Sequence, residues 1–144
     1  MFRKILVALD LNDPGSARRV LETAVSCARQ NDAELHALTV VPAFAMPIVG
    51  SYFAEGYEEK GLEAAQRALG EFLRDEAGGY KVQGHVAHGA IYDEVLRVAD
   101  KLGCDLIVLG AHRPELKDYL LGPNAARVVR HARQSVIVVR QDEG

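Results

Sequence analysis

Two glycines and one carboxylate form the pattern in this chain with the clearest chemistry. Gly110 ends a short apolar segment, and eleven residues separate it from Gly122, which precedes a helical pattern near Asn124. A helix start presents unpaired N–H groups and a positive dipole, and beside the carboxyl end of a parallel strand this arrangement binds anions. Asp10 ends the first apolar segment of the chain. The spacing therefore predicts a site for a phosphate-bearing ligand.

Residues for catalysis are much less evident. The sequence has no Gly-x-Ser-x-Gly segment, no Gly-Lys-Ser/Thr phosphate loop and no Gly-x-Gly-x-x-Gly after its first strand. Asp10 could hold Mg²⁺ against phosphates, since a single carboxylate often serves that purpose. Glu115 and Asp118 are the nearby carboxylates that could activate water. Whether the protein is an enzyme stays open, and any hydrolysis is expected to be slow.

Length and composition predict one globular domain covering residues 1–144. Hydrophobic residues make up 49% of the chain, and a formal net charge of −3 gives no general attraction to nucleic acid or to anionic membranes. No apolar segment reaches the ~18 residues that span a bilayer, and no signal-peptide pattern is present. Cys27 and Cys104 are interpreted as buried thiols, with a disulfide or redox pair as the alternative. We therefore expect a cytoplasmic protein.

Five strand patterns alternate with four helix patterns along the chain. The strands are predicted at 5–9, 34–41, 81–88, 105–109 and 135–140, and the helices at 14–29, 57–76, 91–102 and 124–132. Asp13 is the predicted N-cap of the first helix, and Gly103 is the predicted C-cap of the third. Residues 43–56 are predicted to form a mobile loop at the ligand-binding edge. The alternation predicts an α/β fold with an open, twisted, five-stranded parallel sheet and helices on both faces.

Two strand orders fit this pattern, 2-1-3-4-5 and 3-2-1-4-5. The second order makes strands one and four adjacent, which opens a crevice between Asp10 and Gly110, and we favour it for that reason. It also leaves strand five at an edge, although this strand is apolar throughout. Because an exposed apolar edge promotes aggregation, we predict a homodimer that pairs through Val136, Ile137, Val138 and Val139.

The chain resembles the universal stress protein family over nearly its whole length. The resemblance rests on KILVALD at 4–10, LTVVP at 38–42, DLIVLGAH at 105–112, YLLGPNAARVVRHA at 119–132 and SVIVVR at 135–140. His112-Arg113-Pro114 and the Leu-Leu-Gly-x-Asn spacing resemble the small single-domain bacterial members. The resemblance implies a Rossmann-like fold of the adenine nucleotide alpha hydrolase-like type. It also implies binding of ATP, or of AMP or ADP, and a ligand-dependent stress-response role with an unknown protein partner.

The nucleotide-binding branch of that family carries the pattern Gly, two residues, Gly, nine residues, Gly, then Ser or Thr. Gly110 and Gly122 match the first and last glycines, whereas Arg113 replaces the middle one and Pro123 replaces the hydroxyl residue. The loop is also one residue shorter. The resemblance places the adenine and ribose at strands one and two and the phosphates at strand four and helix four. The implied site residues are Ala8, Leu9, Asp10, Val40, Val41, Leu109, Gly110, His112, Arg113, Gly122, Pro123, Asn124 and Ala125.

The departures from the family pattern leave alternatives open. Pro123 removes one N–H group from the anion site. Arg113 could compensate with a bidentate contact to phosphate, or its bulk could block close approach. We expect ATP binding, and the alternatives are a nucleotide-free protein-interaction module and a weakly ATP-hydrolysing or adenylyl-transferring enzyme.

Several residues also have a purely structural interpretation. In this interpretation Asp10 caps the turn into the first helix and Gly110 allows the chain to turn, and neither contacts a ligand. His112 is then a hydrogen-bonded structural imidazole. The histidines of the strands are predicted to be structural, because their spacing does not suggest a metal site; they are His36, His85 and His88. The basic residues of the fourth helix and its end are predicted to be solvated or at a dimer rim, with a phosphate contact from Arg127 as the alternative; they are Arg127, Arg130, His131 and Arg133.

Overall fold

The computed structural model describes residues 1–41, 57–111 and 122–140. Within these ranges the chain forms β1 (Lys4–Ala8), α1 (Pro14–Asn31), β2 (Glu34–Val41), α2 (Tyr57–Glu76), β3 (Val82–His88), α3 (Ile91–Leu102), β4 (Leu106–Gly110), α4 (Pro123–His131) and β5 (Ser135–Val139). Each boundary lies within two residues of its predicted position. The predicted loop at 43–56 lies outside the described residues, as do His112, Arg113, Glu115 and Asp118.

All five strands are parallel, and their order across the sheet is β3-β2-β1-β4-β5. This order confirms the favoured prediction and excludes the order 2-1-3-4-5. In the centre of the sheet, Ile5 of β1 is paired with Leu106 of β4, and Val7 with Val108. The carboxyl ends of β1 and β4 therefore lie side by side, and Asp10 and Gly110 come to the same edge of the sheet.

Helices cover both faces of the sheet and enclose two hydrophobic cores. Helices α1 and α2 pack on one face against Ile5, Val7 and their neighbours, and α3 and α4 pack on the other face against Leu6 and Ile107. Successive strand residues point to opposite faces. Strands that are buried on both faces need continuous apolar segments, which explains the unbroken pattern of β1 and β4. The sheet whose edge carries Asp10 and Gly110 therefore lies between two layers of packed helices.

The helix ends follow the predicted local chemistry. The Asp13 carboxylate accepts a hydrogen bond from the Ser16 N–H at 3.4 Å, and Pro14 is the first residue of α1. Proline is tolerated there because the first N–H of a helix has no intrahelical acceptor. Gly103 ends α3 with a positive φ of 73°, a conformation that glycine adopts without steric cost.

Asp105 lies just before β4 rather than inside it. Its carboxylate accepts hydrogen bonds from the N–H groups of Arg3, at 3.0 and 3.2 Å, and of Lys4, at 3.2 Å. The backbone N–H of Asp105 in turn donates to the Lys4 carbonyl at 2.9 Å. Asp105 therefore joins the beginnings of β1 and β4, one residue before β4 starts at Leu106.

Candidate functional site

A cavity of about 320 Å³ lies at the carboxyl ends of β1, β2 and β4. Ten of the thirteen predicted site residues line it: Ala8, Leu9, Asp10, Val40, Leu109, Gly110, Gly122, Pro123, Asn124 and Ala125. Val41 is described but does not line the cavity, and His112 and Arg113 lie outside the described residues. The volume lies within the range of small-molecule sites, roughly 300–1,000 Å³. The edge of the sheet therefore carries a preformed concave site.

Seven further residues line the cavity that were not predicted from the sequence; they lie on α1 and the turn before it, on β2 and on α3. These additional lining residues are Asn12, Asp13, Ser16, Ala17, Val20, Leu38 and Ile91. Residues 13, 16, 17 and 20 recur at the spacing of one helix face, so this signal was present in the sequence. The same face continues into the buried part of α1, where Leu21 and Ala24 lie, so this spacing is equally typical of core packing.

A buried hydroxyl holds the floor of the cavity together. Past their last paired residues, β1 and β2 remain connected by the Leu9 N–H, which donates to the Leu38 carbonyl at 2.9 Å. The Thr39 hydroxyl, which is buried, donates to the Leu9 carbonyl at 3.0 Å. This second bond fixes the backbone immediately before Asp10 and therefore sets where the chain enters the site.

Asp10 is exposed and takes part in the turn that leads into α1. Its Oδ1 accepts a hydrogen bond from the Asn12 N–H at 3.0 Å, and its carbonyl accepts one from the Asp13 N–H at 3.1 Å. Asp10 therefore does cap the turn into α1, as its structural interpretation predicts. The cap involves Oδ1 of the carboxylate and not Oδ2.

Gly110 is required by close packing rather than by a special backbone conformation. Its φ is not positive, so the structural reason for a glycine lies elsewhere. An added Cβ would lie 3.2 Å from Cγ2 of Val20 and 3.6 Å from the Ser16 hydroxyl. The absence of a side chain therefore lets the first turns of α1 approach the end of β4, and it brings two walls of the cavity together.

Helices α1 and α4, two of those that begin at the cavity, differ in electrostatic character. Helix α1 is capped by the Asp13 carboxylate, and Asp10 lies nearby in the chain. Helix α4 has Gly122 as its N-cap, no side-chain hydrogen bond to that cap and no acidic residue in its first turn. A positive helix end without a carboxylate favours an anion. The α4 side of the cavity therefore suits phosphate, and the α1 side suits hydroxyl groups or a cation.

Pro123 occupies the first position of α4, as Pro14 does in α1. The first hydrogen bond of α4 runs from the Ala126 N–H to the Gly122 carbonyl at 3.0 Å. The N–H groups of Asn124 and Ala125 precede that bond and have no acceptor within the helix. Two backbone donors therefore remain at this helix start despite the proline.

The Asn124 side chain contacts a second helix rather than capping its own. Its Oδ1 accepts a hydrogen bond from the Tyr92 N–H, at the start of α3, at 3.2 Å. The guanidinium carbon of Arg127 lies 4.5 Å from the centre of the Tyr92 ring. Both contacts join the beginning of α4 to the beginning of α3 beside the cavity.

Comparison with known proteins places the chain in a family. The model of the universal stress protein family matches residues 1–140. Universal stress protein G of Shigella flexneri is 30% identical over 97% of this chain and 100% of its own length. Universal stress protein MJ0531 of Methanocaldococcus jannaschii is 30% identical over 98% of this chain and 84% of its own length. The chain therefore belongs to the universal stress protein family.

Solved structures share the fold. The structure of MJ0577 from Methanocaldococcus jannaschii has a TM-score of 0.82 at 24% identity and covers 100% of this chain and 99% of its own. A universal stress protein from Archaeoglobus fulgidus, solved in complex with dAMP, has a TM-score of 0.66 at 22% identity, with 94% and 96% covered. Another universal stress protein, solved in complex with cAMP, has a TM-score of 0.63 at 22% identity, with 96% and 97% covered.

Of the two cysteines, Cys104 is buried as predicted, whereas Cys27 is only half-buried, so the prediction of a buried thiol is wrong for Cys27. Both are free thiols, and burial raises the pKa of the Cys104 thiol to about 11. A thiol with such a pKa carries almost no thiolate near neutral pH, so it is a poor nucleophile. Among the described residues, no group of three or more His, Cys, Asp or Glu side chains could hold a metal ion.

Proposed function

We propose that this chain binds an adenine nucleotide, ATP or alternatively AMP or ADP, in the cavity at the ends of β1, β2 and β4. The observation that carries the proposal is the start of α4, which faces the cavity without a capping side chain and without an acidic residue. Two structures with the same fold were solved with dAMP and cAMP, which are both adenine nucleotides. Family membership adds support, because it covers residues 1–140.

The cavity offers separate environments for the base and for the phosphates. The side chains of Leu38, Val40 and Ile91 are apolar and suit a purine ring. The N–H groups of Asn124 and Ala125 suit phosphate oxygens, because the start of α4 has no capping side chain and these donors need an acceptor. Asp10 suits the ribose hydroxyls, which donate hydrogen bonds to a carboxylate. Val41, His112 and Arg113 remain part of the proposed site, because the family resemblance implies that they contact the nucleotide.

Mg²⁺ is proposed to accompany the phosphates of ATP, with Asp10 as its protein ligand. Magnesium in nucleotide sites is commonly held by one or two carboxylates together with phosphate oxygens and water. The Asp10 carboxylate is exposed at the cavity, which fits this mode of binding. The described residues offer no cluster that would hold the ion without the nucleotide.

The biological role that we propose is regulatory. A homodimer through β5 would respond to its nucleotide and alter its binding of a protein partner in the cytoplasm. Any hydrolysis of ATP would be slow, since Asp10 and Asp13 are the carboxylates among the described lining residues and Asp13 caps α1. None of the described helices is both long and apolar enough to cross a bilayer.

Isothermal titration tests this function directly. Purified protein is titrated with ATP and Mg²⁺, with AMP, and with GTP as the control for the base. We expect saturable binding of the adenine nucleotides and weaker binding of GTP, because the apolar part of the cavity must accept the base.

The opposite result would favour a nucleotide-free interaction module. The absence of binding at millimolar ATP, together with an unchanged melting temperature, would contradict adenine-nucleotide binding. Measurable ATP turnover that is lost in Asp10→Ala would instead favour the alternative of an enzyme.

A further inference from the structure

Helix α3 begins without a cap of its own. Its N-cap residue is Ala90, which provides no side-chain hydrogen bond, and its first residue is Ile91. The N–H groups of a first helical turn have no intrahelical acceptor and need a partner from elsewhere. Tyr92 donates its N–H to Oδ1 of Asn124 at 3.2 Å, across 32 positions of the sequence. The cap of α3 therefore comes from α4.

Asn124 provides this cap from the second position of α4. Asparagine is a favoured N-cap residue for its own helix, but here Gly122 occupies the N-cap of α4. One helical turn further along, the Arg127 guanidinium lies over the Tyr92 ring at 4.5 Å. A cation over an aromatic ring is attracted by the electrons of the ring face. The contacts of Asn124 and Arg127 with Tyr92 therefore both join the start of α4 to the start of α3.

This connection forms part of the cavity wall. Ile91 lines the cavity from α3, and Asn124 and Ala125 line it from α4. The proposed base environment therefore includes the start of one helix, and the proposed phosphate environment is the start of the other. The distance between them depends on the contact that joins the two helices.

We propose that Asn124 is a positioning residue. Its Oδ1 bond to the Tyr92 N–H holds the phosphate-binding start of α4 at a fixed distance from Ile91, which is part of the proposed base environment. The inference rests on the proposed adenine-nucleotide site. Its consequence is specific: loss of the bond lowers the contribution of the phosphates to affinity and leaves the contribution of the nucleoside nearly unchanged.

The test compares adenosine with ATP and Mg²⁺ by isothermal titration of the whole protein and of Asn124→Ala. We expect the affinity for ATP to fall about fivefold, the size of effect that one neutral hydrogen bond has on an equilibrium. The affinity for adenosine should change by less than about twofold, well below the effect of a lost hydrogen bond. Hydrogen exchange should show a faster Tyr92 amide in the variant.

A further variant separates positioning from general stability. Asn31→Ala removes another asparagine that joins distant segments, because Asn31 Oδ1 accepts a hydrogen bond from the Phe2 N–H at 3.1 Å and neither residue lines the cavity. It should lower the melting temperature and change neither affinity. If Asn124→Ala is too unstable to measure at room temperature, the titrations of this variant and of the wild-type protein are repeated at a lower temperature at which circular dichroism shows that the variant is folded.

The possible failures are distinguishable. If the wild-type protein binds neither ATP nor adenosine, the proposed function itself is wrong. If the wild-type protein binds ATP and adenosine, but the Asn124 variant loses affinity for both ligands in equal proportion or for neither, the positioning role is wrong. Nucleotide binding then stands.

Discussion

At the scale of single residues, Pro123 is compatible with a helix start and still changes its chemistry. A proline at the first helical position costs α4 nothing internally, since that N–H would have no intrahelical acceptor. It does remove one donor that a ligand could use. The N–H groups of Asn124 and Ala125 remain at the cavity, so phosphate binding through this end would depend on two backbone donors.

Replacement of Gly122 by valine tests whether the start of α4 anchors the ligand. Gly122 is buried and has φ −60° and ψ 158°, values that any residue adopts, so Gly122→Val adds a branched side chain at the cavity without backbone strain. We expect affinity for ATP to fall by about tenfold or more, which corresponds to ~1.4 kcal/mol. Isothermal titration measures the affinity, and circular dichroism follows the fold.

The control is Gly70→Val, the same change in the exposed part of α2, where no heavy atom lies within 4 Å of the added Cβ. This variant should bind ATP as the wild-type protein does. Undiminished affinity in Gly122→Val would mean that the start of α4 is not the anchor.

Thr39→Val tests the floor of the cavity. Valine has nearly the same shape as threonine but cannot donate to the Leu9 carbonyl, which the Thr39 hydroxyl reaches at 3.0 Å. We expect the free energy of unfolding to fall by about 1–3 kcal/mol, because the Leu9 carbonyl loses a hydrogen-bond donor. Urea denaturation measures this loss. Thr39→Ser restores the donor and should recover much of the stability, and equal stability of the two variants would contradict the role of the hydroxyl.

At the scale of elements, a polar cluster joins three neighbouring strands. His36 of β2 contacts His85 of β3, Nδ1 to Nε2, at 2.8 Å, and its Nε2 contacts Oε2 of Glu34 at 2.7 Å. Lys4 of β1 lies 3.5 Å from the same Glu34 oxygen. The structural role predicted for these histidines agrees with this arrangement, in which each imidazole nitrogen of His36 has a partner. The cluster is away from the cavity lining.

The cluster predicts that stability falls as the solution becomes acidic. The pKa of His85 is lowered from 6.5, mainly by burial and then by electrostatic interactions with His36 and Lys101. The hydrogen bond from His36 lowers the pKa of Glu34 from 4.5. Both groups bind protons more readily in the unfolded chain, so acid favours unfolding. We expect the urea midpoint to fall as the pH drops below about 6.5, the ordinary value for histidine.

The variant His85→Gln isolates the histidine contribution. Glutamine can still form a hydrogen bond to His36 but does not titrate, so the fall in stability between pH 6.5 and pH 5 should become shallower. A steeper or unchanged fall in this variant would show that other groups control the acid response.

At the scale of the whole molecule, the sheet has two different edges. Strand β3 forms one edge, where Gln83 and Gly84 are exposed, and β5 forms the other, with four consecutive apolar residues that are half-buried. A long apolar edge needs a cover, because its unpaired backbone groups can recruit another strand. Pairing of β5 with β5 of a second copy would supply it symmetrically.

The predicted homodimer has a simple signature in solution. Sedimentation equilibrium should give twice the chain mass of 15.7 kDa. Val138→Arg places a charge on the half-buried edge strand and should yield the monomer mass, with circular dichroism as the check of folding. A wild-type protein that remains at the monomer mass at micromolar concentration would contradict the dimer.

Local sequence patterns were sufficient to predict the helices and strands and the chemistry of their ends. The apolar segment at β1 predicted a buried strand, Asp13-Pro14 predicted the start of α1, and Gly103 predicted the end of α3. These features depend on neighbours within a few residues of the chain, and hydrophobic periodicity and capping residues record such neighbours directly.

Contacts between side chains that are distant in sequence could be read only from the folded chain. The bond from the Tyr92 N–H to Asn124, the contact of His36 with His85 and the α1 wall of the cavity each join residues far apart in sequence. Such contacts depend on strand order and on the packing of helices over the sheet, which no local pattern specifies. Asp10 and Gly110 were an intermediate case, because the favoured strand order already brought them to the same edge.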